Sequence, residues 1–219
     1  MIHHSTLIFF LSGFFIVAGC TTTRLEEQIN LPFEILEGES VVITSNSYHV
    51  GNETETDFLQ CINKSLIKKQ KIFNVIPTQQ FINQLYPWFE PRTAPQTTDD
   101  LSSFLARDLV REKIETLDVK YFVNISGQTT TNSSSGALTC AAGPGGGGCF
   151  GLAWWDDTSS YSASIWDLSK ESSVGNVSAS VSGTSVIPAL VIPIPILART
   201  QKTACEELTD QILDFFSRN

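Results

Sequence analysis

The segment Val119–Gly127, VKYFVNISG, decides the fold of this chain. It is rich in β-branched and aromatic residues, which are enriched in strands, so it predicts a buried strand. Working outward, short β-rich runs predict strands before it at Ser40–Ser45 and Phe73–Ile76, and after it at Tyr161–Leu168 and Asn176–Gly183. The last two runs alternate apolar residues with serine, which predicts an antiparallel pair with one solvated face.

Helices are predicted between the early strands and at the end of the chain. Apolar residues recur at helical spacing in four segments, at 58–66, 81–85, 101–114 and 205–216, and Leu109 belongs to the apolar stripe of the third. Helices alternate with the first strands, and a run of strands follows. This order favours an α+β fold, in which helices pack on a mixed β-sheet.

The first 20 residues, MIHHSTLIFFLSGFFIVAGC, predict export and lipidation. The apolar run Leu7–Ala18 is shorter than the about 20 residues of a membrane-spanning helix, so it is typical of a signal peptide. The following Gly19-Cys20 completes a sequence that resembles the lipobox of bacterial lipoproteins. The resemblance implies cleavage before Cys20 and attachment of acyl chains such as palmitate to that cysteine. An ordinary secretory leader with a chance cysteine after it is the alternative.

Three segments follow from this interpretation. Residues 1–19 form the signal peptide, residues 20–36 form a lipidated start and a polar linker, and residues 37–219 form one domain. A mature chain of 219 − 19 = 200 residues is long enough for one core. Thr21 replaces the Asp that resembles an inner-membrane retention signal, so the resemblance implies an outer-membrane lipoprotein that faces the periplasm.

Four cysteines besides Cys20 predict two disulfides in an exported protein. Cys140 and Cys149 flank one glycine-rich segment, and their pairing is favoured. Cys61 and Cys205 then join an early helix to the last helix, which requires the two helices to be neighbours on one face of the sheet. Free buried thiols are the alternative.

Charge and composition exclude several classes of ligand. The net charge is −9, from 14 basic and 23 acidic residues, which argues against nucleic acid. The glycine-rich segment CAAGPGGGGCFG lacks the lysine and hydroxyl residue of a phosphate-binding loop, so no nucleotide is expected. The mature part contains one histidine, His49, and no Cys-x-x-Cys pair, so neither a metal nor a cofactor is expected.

Residues 136–157 are predicted to form a disulfide-bounded, glycine-rich loop. Trp154 and Trp155 follow the glycines, and Trp88 and Phe89 lie in a proline-rich segment. These four aromatic residues are the candidate contacts for a partner, with burial against the sheet as the alternative. The apolar segment 186–197 contains three prolines, and the sequence leaves open whether it is buried or exposed.

The order of elements, the YFVNISG strand and the IWDL strand (Ile165–Leu168) resemble envelope lipoproteins with the TolB-amino-terminal-like fold. That group includes the curli secretion channel lipoprotein and a lipoprotein activator of penicillin-binding proteins. The resemblance implies a sandwich of sheet and helices. It favours a non-enzymatic protein, anchored at Cys20, that binds or activates another envelope protein in the periplasm.

Two other functions are alternatives on the sequence alone. The first is a subunit of an oligomeric outer-membrane assembly or secretion pore, for which the resemblance to the curli channel is the argument. The second is a hydrolase of an envelope glycan, which would depend on His49 or on facing carboxylates. The acidic pairs are adjacent in sequence, and adjacent side chains diverge. No catalytic residue is therefore predicted.

Overall fold

The computed structural model describes residues 21–45, 54–89, 93, 95 and 98–218, without the side chains of 98, 99 and 101. The predicted signal peptide, the predicted lipidation site Cys20 and the histidine His49 lie outside the described residues.

Six strands form one mixed sheet in the described part of the chain, in the order β1-β6-β5-β4-β2-β3. The strands β2 and β3 run parallel to their neighbours, whereas β4, β5, β6 and β1 form an antiparallel series. The bounds are β1 Thr21–Ile29, β2 Ser40–Ser45, β3 Asn74–Ile76, β4 Val119–Gly143, β5 Gly146–Asp167 and β6 Ser172–Val191.

Five helices are described: α1 Thr56–Lys69, α2 Thr78–Gln84, α3 Thr98–Leu105, α4 Asp108–Thr116 and α5 Thr200–Ser217. Helices α1 and α5 contribute to a core on one face of the sheet, through residues such as Phe58 and Phe215. Helices α2, α3 and α4 contribute to a second core on the other face, around Phe122. The predicted α+β fold, with helices packed on a mixed sheet, is confirmed.

The disulfide Cys61–Cys205 joins α1 to α5 within the first core. The sequence favoured this pairing and required the first and last helices to be neighbours. The structure agrees, since α1 and α5 lie side by side on one face of the sheet. The buried position of Cys205 follows from its place on the apolar stripe of α5.

Strands β4, β5 and β6 are much longer than the other strands of the sheet. They have 25, 22 and 20 residues, against a usual strand length of about 5–6. Their distal parts run beyond β1 and β2 as a three-stranded ribbon, to which the segment 192–197 adds two isolated bridges. We call residues 132–155 and 184–197 the arm, and the other described residues the body.

The predicted glycine-rich loop at 136–157 is wrong. These residues form the hairpin of β4 and β5, and the chain turns only between Gly143 and Gly146. The cysteines Cys140 and Cys149 face each other across the hairpin and form the second disulfide. Pairing between long neighbouring strands therefore overrides the weak strand preference of glycine.

The predicted linker at 20–36 is also corrected. Residues 21–29 form β1, which pairs antiparallel with β6 from Thr21↔Gly183 to Ile29↔Gly175. Every residue of β1 is exposed, so no hydrophobic pattern marks the strand in the sequence. Its backbone pairs with the otherwise open edge of β6, a contact that depends on the sheet being assembled.

The single helix predicted at 101–114 is interrupted. Helix α3 ends at Leu105 and α4 begins at Asp108. The interruption changes the helical phase, so Val110 and Ile114 are buried, whereas Leu109 is 59% exposed and leaves the predicted apolar stripe. The Arg111 guanidinium donates to the Leu105 carbonyl oxygen across the break, at 3.2–3.3 Å.

Candidate functional site

The candidate functional site is the arm, because it carries large apolar side chains that the body does not cover. On one face, directly opposed residues of β4, β5 and β6 form three transverse rows. Phe150 is 71% exposed and Leu190 is 79% exposed, and they pair with each other in the outermost row. From the body outward, the rows are Ser135–Trp154–Val186, Ala137–Leu152–Pro188 and Thr139–Phe150–Leu190.

The segment that follows β6 extends this apolar surface. Ile192 is 72% exposed, and Ile194 and Leu197 are also exposed. The segment folds back along β6, because the backbone of Ile196 exchanges two hydrogen bonds of 2.8 Å with Val186. The sequence left open whether residues 186–197 are buried or exposed. Ala189 is buried, but most of the large apolar side chains from Leu190 to Leu197 are not.

The arm contains no ionisable residue other than its paired cysteines. There is no Asp, Glu, Lys, Arg or His in residues 132–155 or 184–197 of a chain that carries 37 charged residues elsewhere, 14 basic and 23 acidic. The exposed surface of the arm is therefore uncharged as well as apolar. An exposed apolar patch without charge is typical of an interaction site.

A sharp polar boundary lies at the base of the arm. The Asp156 carboxylate accepts hydrogen bonds from the hydroxyls of Ser133, at 2.6 Å, and Thr184, and these bonds hold the pKa of Asp156 below its usual value. Next to it, Trp155 donates from Nε1 to Asp157 Oδ2 at 2.9 Å. The hydrogen-bonded row Ser133–Asp156–Thr184 thus separates the apolar rows from the body.

Below this boundary, the same face of the sheet becomes hydroxyl-lined. Serine and threonine side chains of neighbouring strands pair across the sheet, as in Ser160–Ser180 at 2.7 Å and Thr158–Ser182 at 2.9 Å. Ser126 and Ser162 form a similar pair at 3.0 Å. Between the arm and the second core, this face is therefore polar, and its exposed apolar rows belong to the arm.

A hydrogen-bond network anchors the base of the arm to the body. Glu55, at the start of α1, accepts from the Thr129 backbone N–H at 2.7 Å and from the Tyr161 hydroxyl at 2.9 Å. The Tyr161 hydroxyl also meets Thr129 Oγ1 at 2.9 Å, and Gln201 of α5 donates to it at 3.3 Å. The network therefore joins α1, α5, β4 and β5 at one point.

Burial of two tyrosines predicts loss of stability at high pH. Burial raises the pKa of Tyr161 and of Tyr121 to about 12, above the ordinary value of 10.0. Because the folded state holds the phenolic protons more tightly, this stabilisation is complete below pH 10 and is lost as the pH rises towards 12. We expect the urea midpoint to fall over this window. The fall should be smaller in Tyr121→Phe, and an equal fall would contradict the assignment.

The chain enters the sheet next to the arm. Thr21 pairs with Gly183, one residue before the arm begins on β6, and β1 then runs away from the arm to Ile29. Thr21, the first described residue, therefore lies at the base of the arm. The direction of β1 is a tertiary feature that the sequence does not reveal.

The four candidate aromatic contacts are distributed over two places. Trp154 and Trp155 lie on opposite faces of the arm, since they are adjacent on β5, and Trp154 is the more exposed. Phe89 is only 6% exposed and stacks edge-on with Phe81 and Phe104, so it is a core residue. Trp88 packs against the same core. The structure therefore does not bring Trp88 and Phe89 to the surface that contains Trp154.

Sequence reasoning missed Phe150, Leu152 and Leu190 as candidate contacts. A signal for them is present, because residues 132–155 and 184–197 are long stretches without a charged residue, and both contain large apolar side chains. Reading this signal requires the register between β5 and β6, which places Phe150 opposite Leu190 although the two are 40 residues apart.

Outside the arm, the described residues give little indication of a ligand-binding or metal site. A cleft of about 770 Å³ at the far end of the body has charged walls. Its cations are engaged, because Lys120 pairs with Glu39 at 2.9 Å and Arg111 binds the Leu105 carbonyl. Among the described side chains, no cluster of three or more His, Cys, Asp or Glu is suited to a metal ion. No helix in the described ranges has the length and apolarity to span a bilayer.

Fold and site together define an α+β protein with an uncharged, apolar arm. No protein-family model matches the chain, and no curated protein matches it. Among solved structures, it is similar to a PelC dodecamer from Paraburkholderia phytofirmans with a leucine-to-methionine substitution. The identity is 11% and the TM-score 0.41, over 89% of this chain and 96% of that one. A second PelC dodecamer from this organism is also 11% identical, with a TM-score of 0.39 over 91% of this chain and 100% of that one. Likenesses this distant carry no argument about function.

Proposed function

We propose that this chain is a lipid-anchored protein of the bacterial outer membrane that faces the periplasm and acts without catalysis, with its arm in contact with the membrane. The observation that carries the proposal is the uncharged arm with its exposed apolar rows. Each large apolar side chain that leaves water contributes about 1.5–3 kcal/mol, so several together favour transfer to an apolar phase.

The boundary at the base of the arm supports contact with a bilayer. Tryptophan is enriched at membrane–water interfaces, and Trp154, in the innermost apolar row, and Trp155 directly precede the carboxylates of Asp156 and Asp157 along β5. The hydrogen bonds to Asp156 favour its ionised form, which is costly to bury in hydrocarbon. These features match an arm that enters the membrane as far as Trp154 and leaves Asp156 in water.

The position of Thr21 supports the same arrangement. Acyl chains on Cys20 would be tethered beside the base of the arm, so the lipid and the arm would engage one membrane from one side of the molecule. The arm then fixes the orientation of the body relative to the membrane, which a flexible lipid alone does not do.

Membrane contact is tested by placing a charge on the arm. In the non-lipidated protein with Cys20→Ser, we expect Phe150→Asp together with Leu190→Asp to reduce sedimentation with phospholipid vesicles at least tenfold, because carboxylates are expelled from hydrocarbon. Ser160→Asp with Ser180→Asp is the matched control, since it places the same charges on the hydroxyl-lined part of the same face. Failure of the unsubstituted arm to bind vesicles would overturn the proposal.

A second candidate function is the binding or activation of another envelope protein. The observation in its favour is Trp154, an exposed aromatic residue beside the polar row of Ser133, Asp156 and Thr184, since binding sites often combine an aromatic centre with a polar rim. Crosslinking in intact cells followed by affinity purification tests it. One dominant foreign protein, lost on Trp154→Ala, would favour this function.

A further inference from the structure

The outer edge of β4 is unpaired along the arm. Strand β2 pairs with β4 only as far as Ser45↔Ile125, and the Thr129 backbone N–H is occupied by Glu55. From Thr130 to Gly143, no strand among the described residues lies on this side of β4. The open edge is 14 residues long (130 to 143), or about 47 Å at about 3.4 Å per residue.

An open edge of this kind is a template for another strand. Proteins usually protect long edges with charges, prolines or a covering element. Residues 130–143 contain neither a charged residue nor a proline, and their side chains are mostly small. Their backbone N–H and C=O groups are therefore accessible to a partner that brings a matching edge.

The opposite edge of the arm is closed. There, the segment 192–197 covers β6, with the N–H of Ile194 bonded to the Pro188 carbonyl at 3.0 Å and that of Ile196 bonded to Val186. The residue directly before each of these inward-bonded residues is a proline, Pro193 or Pro195, which has no N–H to donate outward. Farther along the same side, β1 carries charges at Arg24, Glu26 and Glu27.

These two edges exclude one mode of self-association and favour another. Head-to-tail pairing of arms, which generates rings, would place the open β4 edge against the proline edge of the next copy, where donors are missing. Pairing of β4 with β4 uses the same surface twice and meets no proline. An uncharged strand also meets no like charge when it faces itself.

We propose that the β4 edge between Thr130 and Gly143 pairs antiparallel with the same segment of a second copy, about a two-fold axis. The two arms then form one continuous sheet, with the 192–197 segments at its two outer margins. The edge geometry does not depend on the proposed function. If the arm does enter a membrane, the pairing also satisfies backbone groups that hydrocarbon cannot solvate.

The test is a cysteine scan along β4 in the full-length lipoprotein in isolated membranes. Single cysteines at Thr131, Ser133, Ser134, Ser135 and Ala137 are treated with a short bismaleimide crosslinker. In antiparallel pairing about a two-fold axis, one residue lies opposite the same residue of the second copy. For each residue away from that position, the distance between the two equivalent thiols increases by about 7 Å. We therefore expect covalent dimers whose yield peaks at one position and falls on either side, with no larger species.

Ile194→Cys serves as the matched control, because it places the thiol on the closed edge of the same arm. We expect it to give no dimer by itself. Head-to-tail pairing would separate like residues by four strands, about 19 Å, which a short crosslinker does not span. Crosslinked ladders from the double variant Ser134→Cys/Ile194→Cys, with no product from either single variant, would overturn the proposal.

A second measurement guards against poor reactivity at single sites. Light scattering of the detergent-solubilised wild type should give the mass of two chains, and a monomer would also overturn the proposal. Vesicle binding by the Cys20→Ser protein is read separately, so failure of pairing and failure of membrane contact are distinguishable.

Discussion

Replacement of both Cys61 and Cys205 by alanine is expected to lower the free energy of unfolding by about 5 kcal/mol, the value that the chain-entropy model assigns to a loop of this length. The two residues are 144 positions apart, so the disulfide removes many conformations from the unfolded chain. It also joins α1 to α5 within one core, and both helices lose a fixed neighbour when it is absent. Urea unfolding without reductant, followed by circular dichroism, measures the change.

The matched control is the pair Cys140→Ala and Cys149→Ala. That disulfide closes a hairpin with a separation of only 9 residues, and it lies on the exposed arm outside both cores. We expect a loss of less than about 3 kcal/mol, the model value for a short loop. A loss for the Cys61/Cys205 pair no larger than that for the Cys140/Cys149 pair would contradict the expected dependence on loop length.

Gly127→Ala is the second substitution with a large expected effect. Gly127 has φ +132°, and a Cβ there would lie 2.2 Å from the Ser160 carbonyl oxygen and 2.7 Å from the Tyr161 Cα. Those atoms belong to the backbone of β5, so the contact is relieved only if β4 and β5 separate. Backbone strain and overpacking each cost about 1–3 kcal/mol, so we expect a loss of about 2–6 kcal/mol in unfolding free energy.

Gly145→Ala is the control for this substitution. Gly145 lies at the hairpin turn, and a Cβ there would meet no atom within 4 Å. We expect its effect to stay within about 0.5 kcal/mol, as for ordinary surface changes. Hydrogen exchange localises the defect, since Gly127→Ala should release amides of β4 and β5 near the base of the arm. A stable Gly127→Ala protein with protected amides would contradict the predicted clash.

The strands and helices that the sequence predicts are those with strong local patterns. The β-branched run at Val119–Gly127 became the inner part of β4, and the alternating run at Tyr161–Leu168 became the inner part of β5. The apolar stripe that contains Leu208 and Ile212 became the buried face of α5. In each case one face is buried, so the hydrophobic pattern and the tertiary contact carry the same information.

The elements that the sequence did not predict lack a buried face. Strand β1 is exposed throughout, and the distal hairpin around Gly143 and Gly146 is rich in glycine, serine and alanine and contributes no residue to either core. Glycine and alanine are depleted in strands, so these segments carry weak strand signals. They form strands because neighbouring backbones supply their hydrogen bonds, and that supply exists only once the sheet has assembled.

The α+β class, the inner strands, helices α1, α2 and α5 and the favoured disulfide pairs follow from the sequence alone, because periodicity and cysteine number are local or countable properties. Only the tertiary structure decided that residues 132–155 form a ribbon, that Phe150 faces Leu190, and that Thr21 enters beside the arm. These facts depend on register between strands far apart in the chain. Register is set by pairing across the sheet, which no single segment of sequence contains.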